Sequence, residues 1–277
     1  MIILPSIKGI IKPMSFTLGN PPALTSTDGA SDTYPTEIMW NFNSYNCKNN
    51  GTIITVDNTP VTSWTSVGVL TESMSSTGVT NPTWYASVSE FKNKPAVYFN
   101  GTTDVLDLTS AVLNAGTGAG ANGVAVGITF SVVTKPASNV VIFEYGAPTF
   151  PSTQYYSILA GATTVLHRNR GITNTALASY TTRKAYSTFM ANRNYLQVSY
   201  YINYAVVNGS STASFYHAGN NLYRYYPRIR IAPQTPIYIS QIVVYKYTVN
   251  TAPMAFSASS YSTWYNYYNS AYGSVNY

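Results

Sequence analysis

From Tyr145 to Tyr277 the sequence contains no aspartate and no glutamate. All nine acids come earlier: Asp28, Asp32, Glu37, Asp57, Glu72, Glu90, Asp104, Asp107 and Glu144. Paired-carboxylate hydrolysis, a carboxylate-oriented histidine and an all-oxygen metal cage therefore cannot be built from the C-terminal half alone. Charge of either sign is scarce, at 9% of residues against roughly 25% in ordinary soluble domains. The single cysteine, Cys47, excludes an intrachain disulfide. It has no convincing histidine or cationic neighbour, so it reads as an inert, buried or semi-buried thiol. No apolar run approaches about 18 residues, which excludes a helical membrane span. The apolar start is broken by Pro5 and Lys8 and is too short for a secretory signal, so assembly inside a cell is expected. His167 and His217 have no acid or cysteine near them in sequence, which argues against zinc. Gly-x-Ser-x-Gly and sequence-specific nucleic-acid motifs are also missing.

The acid-free half holds nine of the fifteen basic residues and both histidines. Its field favours an acidic partner. Tyrosine, with 26 copies, replaces much of the missing charge. A surface of Tyr, Ser, Thr and Asn suits contacts with proteins or sugars, because each Tyr offers a rigid face and one hydroxyl. Tyr and Thr are equally good strand residues, so packing explains many of them.

The chain reads as strands and tight turns. Asn50-Gly51, Asn100-Gly101, Asn122-Gly123 and Asn208-Gly209 each carry the type I′ turn signature. Three of these asparagines head glycosylation sequons, which read more simply as turns. Strands are expected at Ala96–Phe99, Val105–Leu108, Gly127–Thr134, Val140–Tyr145, Tyr155–Ala160, Thr164–Arg168 and Tyr195–Val207. More are expected at Ser214–His217, Arg228–Ala232 and Ile237–Tyr247. One helical turn is expected at Leu108–Leu113, and Ser257–Ser270 reads as an irregular helix or an aromatic-rich segment. Many strands at short spacing imply a sandwich or jelly roll.

Residues 1–35 differ from the rest. Five prolines punctuate them, and Ile2, Ile3, Leu4, Ile7, Ile10 and Ile11 form an apolar cluster without a local core. Proline-punctuated chain cannot build its own sheet. These six residues are therefore the candidate partner-docking set of an extended arm. Residues 36–277 are expected to form the sandwich, with the aromatic-rich segment 251–277 packed on it.

Trp64 in its strand, Lys94-Pro95-Ala96-Val97-Tyr98-Phe99-Asn100-Gly101, Ile128–Val133 and Ile239–Tyr245 followed by Thr248-Val249-Asn250 resemble a concanavalin A-like lectin/glucanase (laminin-G-like) jelly roll. The resemblance covers roughly residues 38 to 270 through short motifs. It implies an all-β, antiparallel, two-sheet sandwich of a kind found in structural proteins of tailed bacteriophages. The glycosidase branch carries closely spaced acids on one strand. Here the nearest pair is Asp104 and Asp107, and no Glu-x-Asp occurs.

Function is expected to be that of a non-enzymatic structural virion protein: a capsid decoration, fibre or tail component docked through its arm. The alternative is a glycan-binding adhesin or receptor-binding lectin module on the same particle. Candidate glycan or protein contacts are Arg168, Arg170, Tyr223, Arg224, Tyr225, Tyr226, Arg228 and Arg230. Alternation sets Arg228 and Arg230 on one strand face. Such interleaved basic and aromatic residues stack rings and pair with carboxylates, or form a solvated face. No catalytic residue, cofactor or metal is expected. Asp104 and Asp107 are the weak candidates for calcium, against solvated acids at a turn. Partners are other virion proteins, further copies of the chain and a host-surface glycan, with no nucleic acid. The location is a virion assembled in the host cytoplasm.

Overall fold

The computed structural model describes residues 21, 25–27, 33–35, 37–109, 121–146, 155–169, 173–192, 200–207, 210–218, 228–249, 255–256 and 258–272. In chain order the first strands are β1 (Thr25–Thr27), β2 (Thr33–Pro35), β3 (Glu37–Asn49), β4 (Thr52–Ile53), β5 (Thr59–Pro60), β6 (Ser63–Ser66) and β7 (Ser73–Ser76). Next come β8 (Thr83–Val88), β9 (Lys94–Phe99), β10 (Leu106–Thr109), β11 (Ala121–Val132), β12 (Val140–Gly146), β13 (Tyr155–Ala160) and β14 (Thr164–Asn169). The last are β15 (Thr173–Ser179), β16 (Tyr186–Asn192), β17 (Tyr200–Val207), β18 (Ser210–Ala218), β19 (Arg228–Ile231), β20 (Ile237–Val249) and β21 (Ala255–Phe256). The helix α1 (Ala258–Tyr272) follows.

The fold is an antiparallel, two-layer β-sandwich. One layer runs β18–β17–β16–β11–β20–β9–β8–β5. The other runs β3–β6–β7–β10–β19–β12–β13–β14–β15. β3 belongs to both, because Glu37–Asn43 pairs with β20 while Phe42, Cys47 and Lys48 pair with β6. A single apolar core fills the space between the layers. It draws Val126, Ile128, Phe130 and Val132 from β11, and Leu106, Leu108, Ile229 and Ile231 from β10 and β19. On β20 the core residues are Ile237 and Ile239, then Ile242 and Val244. That phase change follows from the register shift where β11 passes from Thr129 to Phe130. One extra residue in a strand turns its later side chains to the opposite face.

Where β3 crosses between layers, its ladder with β6 skips from Phe42 to Cys47. Carbonyls in the skipped stretch need other donors. Two buried indoles supply them: Trp64 Nε1 donates to Asn43 O at 2.7 Å and Trp84 Nε1 to Ser44 O at 2.8 Å. The core tryptophans thus fill volume and hold the crossover at once. Cys47 is buried here, and burial pushes its thiol well above the usual range.

Most expected strands are present, and Tyr155–Ala160 matches residue for residue. Leu106–Thr109 is a strand flanked by β7 and β19, so the start of the helical turn expected at Leu108–Leu113 is extended chain instead; residues 110–113 lie outside the described residues. Asn122-Gly123 lies inside β11, opposite Thr248 and Tyr247 of β20, so that turn expectation is also corrected. Asn50 and Gly51 do form the left-handed turn, at φ 48° and 84°, between β3 and β4. Gly101 sits at φ 83°, where a Cβ would lie 2.5 Å from the Thr235 carbonyl carbon. Asn208-Gly209 falls outside the described residues, between strands that pair Val207 with Ser210.

β1, β2 and β21 form a separate three-stranded sheet, so Thr25–Thr27 and Thr33–Pro35 pair with each other and β1 pairs with the C-terminal segment, which corrects the expectation that residues 1–35 build no sheet of their own. Ile2, Ile3, Leu4, Ile7, Ile10 and Ile11 lie outside the described residues. The helix α1 packs on the outer face of the β11 layer. Tyr272 stands edge-on to Phe91 and donates its hydroxyl to Gln241 Oε1 at 2.9 Å. Lys92 Nζ donates to the carbonyls of Asn269 and Ser270, placing a cation at the negative end of the helix.

Candidate functional site

The register of the β19 layer lines up polar residues in one lateral row. Lys48 lies opposite Ser63, Ser63 opposite Ser75, and Ser75 opposite Asp107. Asp107 lies opposite Arg230, Arg230 opposite Glu144, Glu144 opposite Ser157, and Ser157 opposite Arg168. Directly opposed residues share a sheet face. The flanking Leu106, Leu108, Ile229, Ile231, Phe143 and Ile158 all enter the core. The row therefore runs across the outer face. Arg230 is half-buried between two acid positions that are two strand spacings apart, about 10 Å. Ser157 beside them is fully buried, and its Oγ makes no hydrogen bond. Donors and acceptors alternating on one face are suited to hydroxyl-rich ligands, since each sugar hydroxyl both donates and accepts.

The sequence-based candidates divide in three. Arg230 is in the row, and β19 carries Arg228 two residues away, as the alternation required. Arg168 enters the row by register; the side chains of Arg168 and Arg228 are not among those described. Arg170, Tyr223, Arg224, Tyr225 and Tyr226 lie outside the described residues.

Asp104 and Asp107 do not act together. Asp104 is buried, and its carboxylate accepts from Thr80 Oγ1 and from the Asn100 backbone N–H at 2.8 Å. Asp107 belongs to the outer row instead. Among the described residues no group of three or more His, Cys, Asp or Glu side chains is arranged to hold a metal. No described helix is long and apolar enough to cross a membrane.

Sequence reasoning missed two features. Glu144 appeared only as the last acid, and its place beside Arg230 depends on the pairing of β12 with β19. The second is on the opposite outer face, where Tyr85 stands edge-on to Tyr98 and Tyr238 and those two rings are tilted on each other, with centroids 5.1–6.2 Å apart. Arg183 lies over the Tyr238 ring at 5.9 Å and pairs with Glu90 at 3.4 Å. Burial raises the Tyr238 phenol, the Tyr85 phenol beside it adds to that, and Arg183 opposes.

No family model and no curated protein matches this chain. Solved structures share its fold. A crystal structure of the botulinum neurotoxin serotype D binding domain superposes with a TM-score of 0.54 at 8% identity, over 83% of this chain and 50% of that one. The receptor binding domain of botulinum neurotoxin D gives 0.53 at 8%, over 83% and 52%. A Trypanosoma rangeli sialidase in complex with a difluoro-KDN ligand gives 0.50 at 11%, over 87% and 34%. This chain thus spans about a third of the sialidase and half of the toxin binding domains. At these identities the likeness shows the fold: an all-β sandwich.

The sialidase likeness corrects one expectation, that the chain is not an enzyme. The same architecture is present in an enzyme, although likeness at 11% identity assigns no activity. The missing Glu-x-Asp spacing excludes only an acid pair on one strand. The fold brings Asp107 and Glu144 to either side of Arg230 from three different strands.

Proposed function

We propose that the chain is a carbohydrate-binding, receptor-recognition sandwich that engages its ligand on the outer face of the β19 layer. The observation that carries this reading is the lateral row Asp107–Arg230–Glu144, with Ser75 and Ser157 on its flanks. It sets a half-buried guanidinium between two acid positions, in a row that also includes Lys48 and Arg168. The receptor-binding toxin domains that share the fold support the class of function. The tyrosine-rich, weakly charged composition supports it independently.

A glycan array probed with the wild-type chain and with Arg230→Gln tests the proposal. Wild-type binding should weaken as salt rises, because exposed charges are screened over about 8 Å at physiological ionic strength. Arg230→Gln should lose on the order of tenfold in affinity, the scale of a charge-assisted hydrogen bond, while its melting temperature stays close to that of the wild type. Equal binding by both proteins would refute the site.

The setting we propose is a bacteriophage particle, with residues 1–35 docking the module onto another virion protein. Its support is the jelly-roll resemblance and the proline-spaced isoleucines of the first residues. The chain should co-purify with intact particles, and a variant lacking residues 1–35 should fold but fail to attach. Unfolding of that variant would assign the segment to the sandwich instead.

A further inference from the structure

The outer face of the β11 layer carries a cluster that the charged row does not use. Tyr98 of β9 lies directly opposite Tyr238 of β20, and Tyr85 of β8 completes the triad. All three are half-buried, so their rings are fixed by one another and still present surface. Their interplanar angles of 50–86° keep ring faces and edges in set directions.

Arg183 is held over this triad from the turn between β15 and β16. Its backbone is left-handed at φ 58°, and its N–H donates to Val132 O at 2.9 Å. Glu90 takes one guanidinium nitrogen, while Ser89 Oγ donates to the other carboxylate oxygen at 2.8 Å. The Glu90 side chain is 8% exposed and that of Arg183 is 56% exposed. The acid is therefore a buried anchor, and the arginine still has donors facing outward. A guanidinium carries five N–H donors, and Glu90 engages one nitrogen. Beside Tyr238 in the ladder lies Ser131, fully buried, whose Oγ makes no hydrogen bond.

Charge on this face is mainly basic, with Arg183, Lys92 and Lys94 against Glu90. On the same layer Lys92 lies at the end of α1, and Lys94 sits over the Tyr272 ring at 5.3 Å. Desolvation and the nearby Lys92 both hold the Lys94 ammonium below its usual range. An anionic occupant fits such a face, and rigid tyrosine rings match the flat C–H face of a pyranose.

We infer that Tyr85, Tyr98, Tyr238 and Arg183 form a second ligand site, for an acidic saccharide whose pyranose ring lies on the tyrosines and whose carboxylate pairs with the guanidinium. The site is separate from the β19-layer row, so one chain could hold two segments of a glycan on opposite faces.

Calorimetric titration of the full chain with oligogalacturonate tests this, with the neutral maltoheptaose as the comparison. Oligogalacturonate should bind, and maltoheptaose should be weaker by on the order of tenfold, the loss of one charge-assisted pair. Arg183→Gln and Tyr98→Ala should each lose a similar factor. Tyr98→Phe keeps the ring and should bind normally, which separates ring stacking from a folding defect. Val79→Ser, at an exposed position outside both sites, should leave this binding unchanged, and Arg230→Gln on the glycan array reports the β19-layer site separately, so that failure here and failure of that site are distinguishable. Absence of wild-type binding, or normal binding by Arg183→Gln, would overturn the site. Displacement by polyglutamate at equal concentration would overturn the saccharide and assign an acidic peptide.

Discussion

The two outer faces of this sandwich solve the same problem with different chemistry. On the β19 layer, polar residues from distant strands line up by register, and Arg230 stands between Asp107 and Glu144. On the β11 layer, tyrosines and a helix cover the sheet, and the exposed charge is mainly basic. The C-terminal half lacks acids throughout, and both faces borrow them from the N-terminal half: Asp107 and Glu144 beside Arg230, and Glu90 beside Arg183. β10 and β12 bring Asp107 and Glu144 beside an arginine from the acid-free part. Charge asymmetry along a sequence therefore need not survive as asymmetry in space. What counts is which strands become neighbours.

The strongest way to break this comparison is to remove what both faces share. Trp64→Ala empties a fully buried position and leaves the Asn43 carbonyl without its donor. A loss of about 3–5 kcal/mol is expected in urea unfolding, with both ligand surfaces failing together. A loss below about 1 kcal/mol would mean that the crossover of β3 does not depend on this indole.

Alkaline pH should weaken the β11 face. Burial raises Tyr245, Tyr267 and Tyr272 at the contact between α1 and the sheet, and raises Tyr180 to about 12, where its hydroxyl donates to Gly161 O. Each is a phenol favoured in its neutral form by the fold. The stabilisation is complete below the unfolded value near 10 and disappears as pH rises through the folded values. Stability should thus fall from about pH 10 upward, with α1 leaving the β11 layer. Phenolate absorbance and tyrosine circular dichroism report it. Phenols that titrate together near 10 in the native state would contradict the burial described.

A smaller effect sharpens the charged face. Arg230→Glu sets three acid positions side by side across β10, β19 and β12. Like charges directly opposed should cost about 0.2–1 kcal/mol, and added salt should recover part of it. Equal stability at low salt would show that solvent already screens the row.

The strands were legible where β-branched and aromatic residues run between turn formers, as in Ile237–Tyr247. β3 was not, because asparagines at 41, 43, 46 and 49 depress its propensity. Pairing with β20 and β6 overrides that preference. Asn122-Gly123 misled for the converse reason: a turn signature gave way to ladder partners on β20. Arginines alternating on β19 were visible in the sequence, but their acid neighbours were not. That pairing needs the register of strands far apart in the chain. The tyrosine triad draws on three of 26 tyrosines, and nothing in the sequence distinguishes Tyr85, Tyr98 and Tyr238 from the others.

The position of β20 has a consequence in time. It pairs with β3, β9 and β11, and Gln241 donates to Asn41 across 200 residues of chain. Translation at roughly 5–20 residues per second leaves β3 waiting on the order of 10–40 s for that partner. During this interval Trp40 and Phe42 have emerged from the ribosome without the strand that covers them. A ribosome stalled before Ile237 would therefore hold a nascent chain with open strand edges rather than a half-finished domain, and such chains are natural clients for chaperones that bind during synthesis.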